Sequence, residues 1–263
     1  MTTTLKVTGY GVRNLVRSRW LLVYTLFFFA AAEGLLRFSA DGTKALLSLT
    51  SVVLFVVPLV TIVFGTVYVY GAREFTELLL AQPVRRSQLF TGLYLGLAAP
   101  LAMALGAGIA IPFAMNGAAR AADAGTLAVL VFAGAALTAV FTALAFLIAL
   151  RVEDRLHGVG VAIGVWLLFA LFYDGLVLLL VALFADHPME KPVLAMVLAN
   201  PVDLARVLLL LRFDLAALMG YTGAVFQRLL GGWTGSILAG AALALWVAIP
   251  VAIGQRVFRR KDF

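Results

Sequence analysis

Cysteine is absent from this sequence, which removes both a disulfide framework and a thiolate metal site. No G-x-x-x-x-G-K-[ST] phosphate loop, H-E-x-x-H helix or G-x-S-x-G elbow occurs either, so nucleotide hydrolysis and the common hydrolase chemistries lack their residues. No residue is assigned as catalytic. Charge is also scarce: 13% of the 263 residues are charged against 63% hydrophobic, too little polar surface to solvate a soluble domain. These absences leave one class, an all-α polytopic membrane protein, read here as a single membrane domain over residues 1–263.

The net charge of +7 does not indicate nucleic acid. Lys and Arg fall in short clusters beside apolar runs, which is the pattern of membrane topology rather than of a nucleic-acid groove. Six runs are long enough to cross hydrocarbon: Trp20–Leu36, Ser48–Tyr70, Gly92–Met115, Gly125–Leu150, Val159–Ala185 and Gly235–Val257. Ahead of them, residues 1–19 mix Lys6, Arg13, Arg17 and Arg19 with Leu5, Tyr10, Val12, Leu15 and Val16. This basic amphipathic stretch is predicted to lie on an anionic leaflet as an interfacial helix, in contact with membrane lipids. Its basic start suggests a signal peptide, but the later spans favour a retained first span.

With an even number of spans both termini lie on one side. If that side is the cytoplasm, the inner segments collect Arg13, Arg17, Arg73, Arg85, Arg86, Arg151, Arg155, Arg259 and Arg260 among others, as the positive-inside rule requires. In that topology His157 and His187 face opposite sides, so no metal site is expected within one chain. Met103, Met115, Met189, Met196 and Met219 are scattered, and packing accounts for them better than a copper(I) relay does.

The island 71–90 then becomes a cytoplasmic segment. Arg73, Glu74, Glu77, Arg85 and Arg86 surround Phe75 and the Leu78–Leu80 run, predicting a short amphipathic helix broken near Pro83. A transport chain without a nucleotide site must use a gradient, act as a channel or borrow an ATPase, and a charged helix with a leucine flank suits docking into a groove on an ATPase. A solvated loop that merely satisfies topology is the plainer reading.

On the other side, residues 186–234 form a connection too long to be structureless. Asn200-Pro201-Val202-Asp203 reads as a helix start, with Asn as cap, Pro in first place and the acid reaching back to the cap. A helix from Pro201 to about Arg212 follows, with Leu204, Val207, Leu208 and Leu211 on one face, able to dip into the outer leaflet or hold another protein. Asp174, after Tyr173, falls near the middle of the fifth span, where a carboxylate either pins two helices or lines a pathway. Glu33 is a rim residue of the first span. Gly92-x-x-x-Gly96 and Gly160-x-x-x-Gly164 permit close helix approach, expected within one chain.

The run from Arg73 to Gln88 resembles the first cytoplasmic loop of type-2 ABC exporter permeases, where an acidic-Thr-Leu-Leu segment, a Pro, an Arg and a Gln follow the second span. The resemblance implies that this loop is a coupling helix, with Arg73, Glu74, Thr76, Glu77, Pro83, Arg85, Arg86 and Gln88 addressing a separate ATPase that holds ATP and magnesium, and with no cofactor in this chain. Phe75 departs from the Gly common there. Gly164–Asp174, Asn200–Arg206, Gly220–Phe226 and Arg259–Asp262 are similar to the branch of that family serving nitrous oxide reductase maturation. That implies a homodimer in a bacterial inner membrane, NosF-like ATPases on the cytoplasmic side, and a NosD-like periplasmic protein met by Asn200, Pro201, Asp203 and Arg206. The work would support assembly of the reductase's copper–sulfur centre. An exporter permease for a drug or lipid, and an ATP-independent scaffold or channel, are the alternative readings.

Overall fold

A computed structural model describes residues 3–39, 42–116, 124–184, 190–212 and 233–260. Among these residues every regular element is helical. In order they are α1 (Thr3–Val16), α2 (Arg19–Phe38), α3 (Gly42–Gly71), α4 (Arg73–Leu80), α5 (Arg86–Met115), α6 (Ala124–Arg151), α7 (Arg155–Leu167), a π-helical segment (Leu168–Phe172), α8 (Tyr173–Leu183), α9 (Glu190–Leu198), α10 (Pro201–Arg212) and α11 (Trp233–Arg260). Six stretches are long and apolar enough to span: α2, α3, α5, α6, the run from α7 through α8, and α11 from Gly235.

The expected number of spans is observed, but several are longer than their apolar windows. At 1.5 Å per residue a 30-residue helix is about 45 Å long, against about 30 Å of hydrocarbon. Both α3 and α5 have 30 residues. An apolar window stops at the first charge, whereas the helix continues into the headgroup layer; thus α3 begins at Gly42 and leaves Lys44 exposed in its first turn.

Helices α5 and α6 pack against each other at the centre. Helices α1 and α2 cover α5, while α3, α10 and α11 cover α6; α7 lies outside α3. Phe90, Phe113, Phe141, Leu97, Leu105 and Ile109 are fully buried in this centre. Helix α1 docks where α5 has no side chains: a Cβ on Gly11 would lie 3.1 Å from the Gly96 Cα, and one on Gly92 would lie 2.8 Å from the Val7 Cβ. The first glycine pair therefore serves packing within the chain, as expected. The second does not, since Gly160 and Gly164 have nothing within 4 Å of an added Cβ.

The fifth span departs from the continuous helix expected of it. It widens into the π-helical segment just before Asp174, a distortion that side-chain insertion or function commonly accompanies. Between the fifth and last spans, α10 starts at Pro201 as expected, but α9 was not anticipated, and the two meet at 108°. The Gly-rich part of that connection, including Gly220, Gly223, Gly231 and Gly232, lies outside the described residues, as do Arg120, His187, Arg228 and Lys261.

The α1–α5 contact generates a test. Gly11→Leu should destabilise the chain by about 1–3 kcal/mol, the usual cost of overpacking, seen as a lower melting temperature in detergent and faster tryptic cleavage at Arg13 and Arg17. An unchanged digestion pattern would mean that α1 is not held by α5.

Candidate functional site

Two groups of polar residues stand out, one around α4 and the start of α5 and the other around Asp174, within the fifth span. At the first, α4 continues almost without interruption from α3: the Ala72 N–H donates to the Tyr68 carbonyl at 2.9 Å, and the Thr76 hydroxyl donates to the Ala72 carbonyl at 2.8 Å. Glu74 and Glu77 are exposed, Leu78 is 71% exposed, and Arg73 Nε pairs with Glu77 Oε1 at 3.2 Å one turn away. Half-exposed i,i+4 pairs of this kind add only about 0.3–0.5 kcal/mol, so the pair orders the surface of α4 rather than holding it in place.

What holds α4 comes from elsewhere. Phe75 stacks on Tyr10 of α1, with ring centroids 5.2 Å apart and planes at 18°. This gives the unexpected aromatic a role: it fastens α4 to α1, which is itself seated on α5. Thr76, expected among the coupling residues, is buried and spends its hydroxyl on the backbone, so it positions the helix rather than presenting a group. Pro83 lies in the exposed break after Leu80, and Arg85 immediately precedes α5 without a side-chain capping bond. Arg86 and Gln88 therefore belong to the start of α5. Arg86 Nη1 donates to the Arg259 carbonyl at 3.1 Å and Gln255 Nε2 donates to Thr91 Oγ1 at 3.0 Å. The bases of the third and last spans are thereby joined.

In the second group, Arg206 of α10 lies between two carboxylates. Its Nη1 donates to Asp174 Oδ2 at 2.7 Å and to Asp203 Oδ1 at 3.0 Å. Asp203 is almost fully buried, while the Asp174 side chain is 46% exposed. Asn200 completes the cluster: its Oδ1 accepts the Val202 N–H at 2.9 Å as a helix cap, and its Nδ2 donates to Asp203 Oδ2 and to the Phe169 carbonyl, both at 3.0 Å. The acid thus reaches back to the cap's side-chain amide rather than to its backbone N–H. The Tyr173 hydroxyl donates to the Met196 carbonyl at 2.8 Å, and Trp246 Nε1 to the Leu198 carbonyl at 3.1 Å. This places the α9–α10 bend at the depth of the middle of α11.

This geometry corrects the expectation for Asn200, Pro201 and Asp203. As surface contacts for a periplasmic protein they would have to be accessible, yet all three are buried against the chain's own helices. The reason is chemical: a carboxylate and an amide at this depth require internal partners, and they find each other, Arg206 and the Phe169 carbonyl. Of the four, Arg206 alone keeps a part-exposed side chain, at 30%. Asp174 lies about 30 Å along the helix from Arg155 at 1.5 Å per residue, five residues past the midpoint of the Arg155–Leu183 span, and it pins α8 to α10. Glu33 is a rim residue that accepts from Arg37 Nε at 2.7 Å and Asn116 Nδ2 at 2.8 Å.

Residues not anticipated from sequence are Tyr10, Tyr70, Asn116, Trp166 and Trp246. Their common signal is a polar-tipped side chain at a span end or beside a helix break, where such residues are enriched. Among the described residues no cluster of three or more His, Asp or Glu has the arrangement of a metal site.

Six apolar spans and a short charged helix exposed after the second define a polytopic membrane protein with a docking-sized amphipathic helix at one face. Residues 7–263 match the ABC-2 family transporter protein family, and the chain belongs to that family. It is 29% identical over 262 residues to the probable ABC transporter permease protein NosY of Pseudomonas aeruginosa, covering 94% of both chains. Its identity to the protein of the same name from Stutzerimonas stutzeri is 28% over 267 residues, again 94% of each. The chain is an ABC-2 type permease component.

Removing one partner of a buried ion pair costs more than removing the exposed one. Arg206→Met should lower stability by about 3 kcal/mol, near the low end for a broken buried pair, whereas Asp174→Asn should cost well under half of that. Thermal melts in detergent decide it, and Asp203→Asn combined with Arg206→Met should regain part of the loss. Equal melting temperatures for the two single variants would refute the cluster's unequal burial.

Proposed function

We propose that this chain is the permease of an ABC transporter that maturates nitrous oxide reductase, coupling ATP hydrolysis in a separate subunit to work across the membrane during assembly of the copper–sulfur centre. The observation that carries the reading is α4: an exposed, mixed-charge helix with Leu78 outward, braced from beneath by Thr76 and Phe75, in a sequence with no phosphate loop of its own. Such a helix offers charged contacts around an apolar centre, the composition that fixes register in a docking groove. Names of the relatives supply the finer assignment to this branch.

The proposed complex is a permease homodimer with NosF-like ATPases, where ATP and magnesium bind, on the cytoplasmic side and a NosD-like periplasmic protein opposite, in a bacterial inner membrane with both permease termini cytoplasmic. The exposed fifth span favours a second copy: 11% of its apolar window is buried within the chain, against 50–56% for the second to fourth spans. Its open Gly160 and Gly164 would admit a close neighbour.

Co-purification with the ATPase is the decisive experiment. The wild-type chain should retain it, and Glu74→Ala with Glu77→Ala should weaken capture by about tenfold or more, the effect of losing one or two central contacts. A wild-type chain that retains no ATPase sinks the transporter reading in favour of an ATP-independent scaffold or channel. In the producing cell, Asp174→Asn should lower the copper content and activity of the reductase while leaving membrane insertion intact. If deleting the permease leaves the reductase unaffected, the complex serves another substrate, such as a drug or lipid.

A further inference from the structure

The loop between α6 and α7 is held by a residue from another span. Tyr70, in the last turn of α3, donates its hydroxyl to the Val152 carbonyl at 2.7 Å and approaches the Asp154 carbonyl at 3.3 Å. The Val152 carbonyl lies just past the end of α6, where a helix terminus leaves carbonyls without internal partners, and the Asp154 carbonyl opens α7 by accepting the Gly158 N–H at 2.9 Å. Asp154 starts α7 as its cap, Oδ1 accepting the His157 N–H at 2.7 Å. Across the first turn of α7 the tyrosine ring occupies the space a side chain at position 158 would need: a Cβ on Gly158 would lie 2.8 Å from the ring Cζ and closer still to the hydroxyl.

A second tie joins the same two helices deeper in the bundle. Trp166 Nε1 donates to the Phe55 carbonyl at 3.1 Å, and the two rings meet edge to face at 4.7 Å. Helix α7 is therefore fastened to α3 at both of its ends. Immediately beyond the second tie comes the π-helical segment, and beyond that Asp174 with its bond to Arg206. At the Tyr70 end, α3 passes into α4 through the Ala72 and Thr76 hydrogen bonds. The order along the molecule is docking helix, clamp, rigid α7, widened turn, ion pair.

We propose that Tyr70 is a positioning residue that makes α4, α3 and α7 one mechanical body, so that a displacement imposed on α4 is delivered through the Leu168–Phe172 segment to the Asp174–Arg206 pair. Tyr70 touches neither the ATPase nor the work site; it acts by keeping the base of the fifth span in step with the base of the second. Gly158 shares the role by leaving room for the ring. The inference rests on the docking role proposed for α4.

The chain has no native cysteine, so Leu178→Cys, on an exposed position one turn beyond Asp174, places a single thiol on α8. In the complete complex in proteoliposomes, its rate of reaction with a maleimide is measured without nucleotide and with ATP trapped. The parent should show a change of about fivefold or more, the lower end of ordinary coupling between sites. Tyr70→Phe, which keeps the ring and removes the donor, should abolish most of that change while ATPase capture and ATP hydrolysis persist. Gly158→Ala should act in the same direction, and adding Asp174→Asn to Tyr70→Phe should produce no further loss, because residues on one path are not additive. A full ATP-dependent change in Tyr70→Phe overturns the proposal, as does a parent complex that hydrolyses ATP without any change at position 178. Failure of the parent to capture an ATPase refutes instead the reading on which the proposal rests.

Discussion

A backbone carbonyl inside a bilayer has no water to turn to, and every place where this chain interrupts a helix exposes at least one. Five long-range hydrogen bonds answer that constraint. Tyr70 donates to Val152 at the α6–α7 turn, Asn200 to Phe169 in the π-helical segment, Tyr173 to Met196, Trp246 to Leu198 at the α9–α10 bend, and Arg86 to Arg259 at the end of α11. Each donor belongs to a different helix from its acceptor. At these five places, satisfying a helix end or distortion and joining two segments are the same act. Within helices, threonines do a local version: Thr61, beside Pro58, donates to Val57 at 2.6 Å, in a region where the proline has removed a backbone donor.

Charge is distributed by the same logic. Glu33, Arg73, Glu77 and Asp154 sit at helix ends or beyond them, where water screens them. The backbone N–H of His157, and then its ring, hold the Asp154 carboxyl below the usual carboxylate range. Its capping contribution is thus fully present above the ordinary carboxylate pKa and is lost as pH falls through the depressed value. The Asp174, Asp203 and Arg206 cluster is different, because it lies within the bundle and one carboxylate is buried. Ionisable groups at such depth are costly unless paired. Here the pairing spans the widened fifth span and the bent α9–α10 pair, the two most irregular parts of the described structure.

Seen together, the two groups divide the labour of a permease. One presents a braced helix with charged and leucine side chains outward; the other holds a compact ionic cluster between two elements with little regular support. The connection between them is not diffuse packing alone but a fastened helix, α7, with a side-chain donor at each end of its contact with α3. Among the described spans the fifth is otherwise the least enclosed within the chain.

The sequence by itself determined the class, the number of spans, the helical island after the second span and the start of α10 at Pro201, because each rests on a local pattern: an apolar run, a charge cluster, a cap. It also picked out Asp174, Asn200, Asp203 and Arg206, since polar residues in apolar surroundings are conspicuous. Which way they face was settled only in three dimensions. Asn200 and Asp203 read as surface residues of an amphipathic helix because a helical wheel does not know that α6 and α11 cover both of its sides. Thr76 looked presentable until its hydroxyl was seen spent on Ala72, and Phe75 looked anomalous until Tyr10 was found beneath it. Tyr70 carried only the general signal of an aromatic at a span end, one among many, since its meaning lies in a carbonyl 82 residues away. Local pattern specifies which segments leave water; only the meeting of distant segments decides which side chain answers which broken bond.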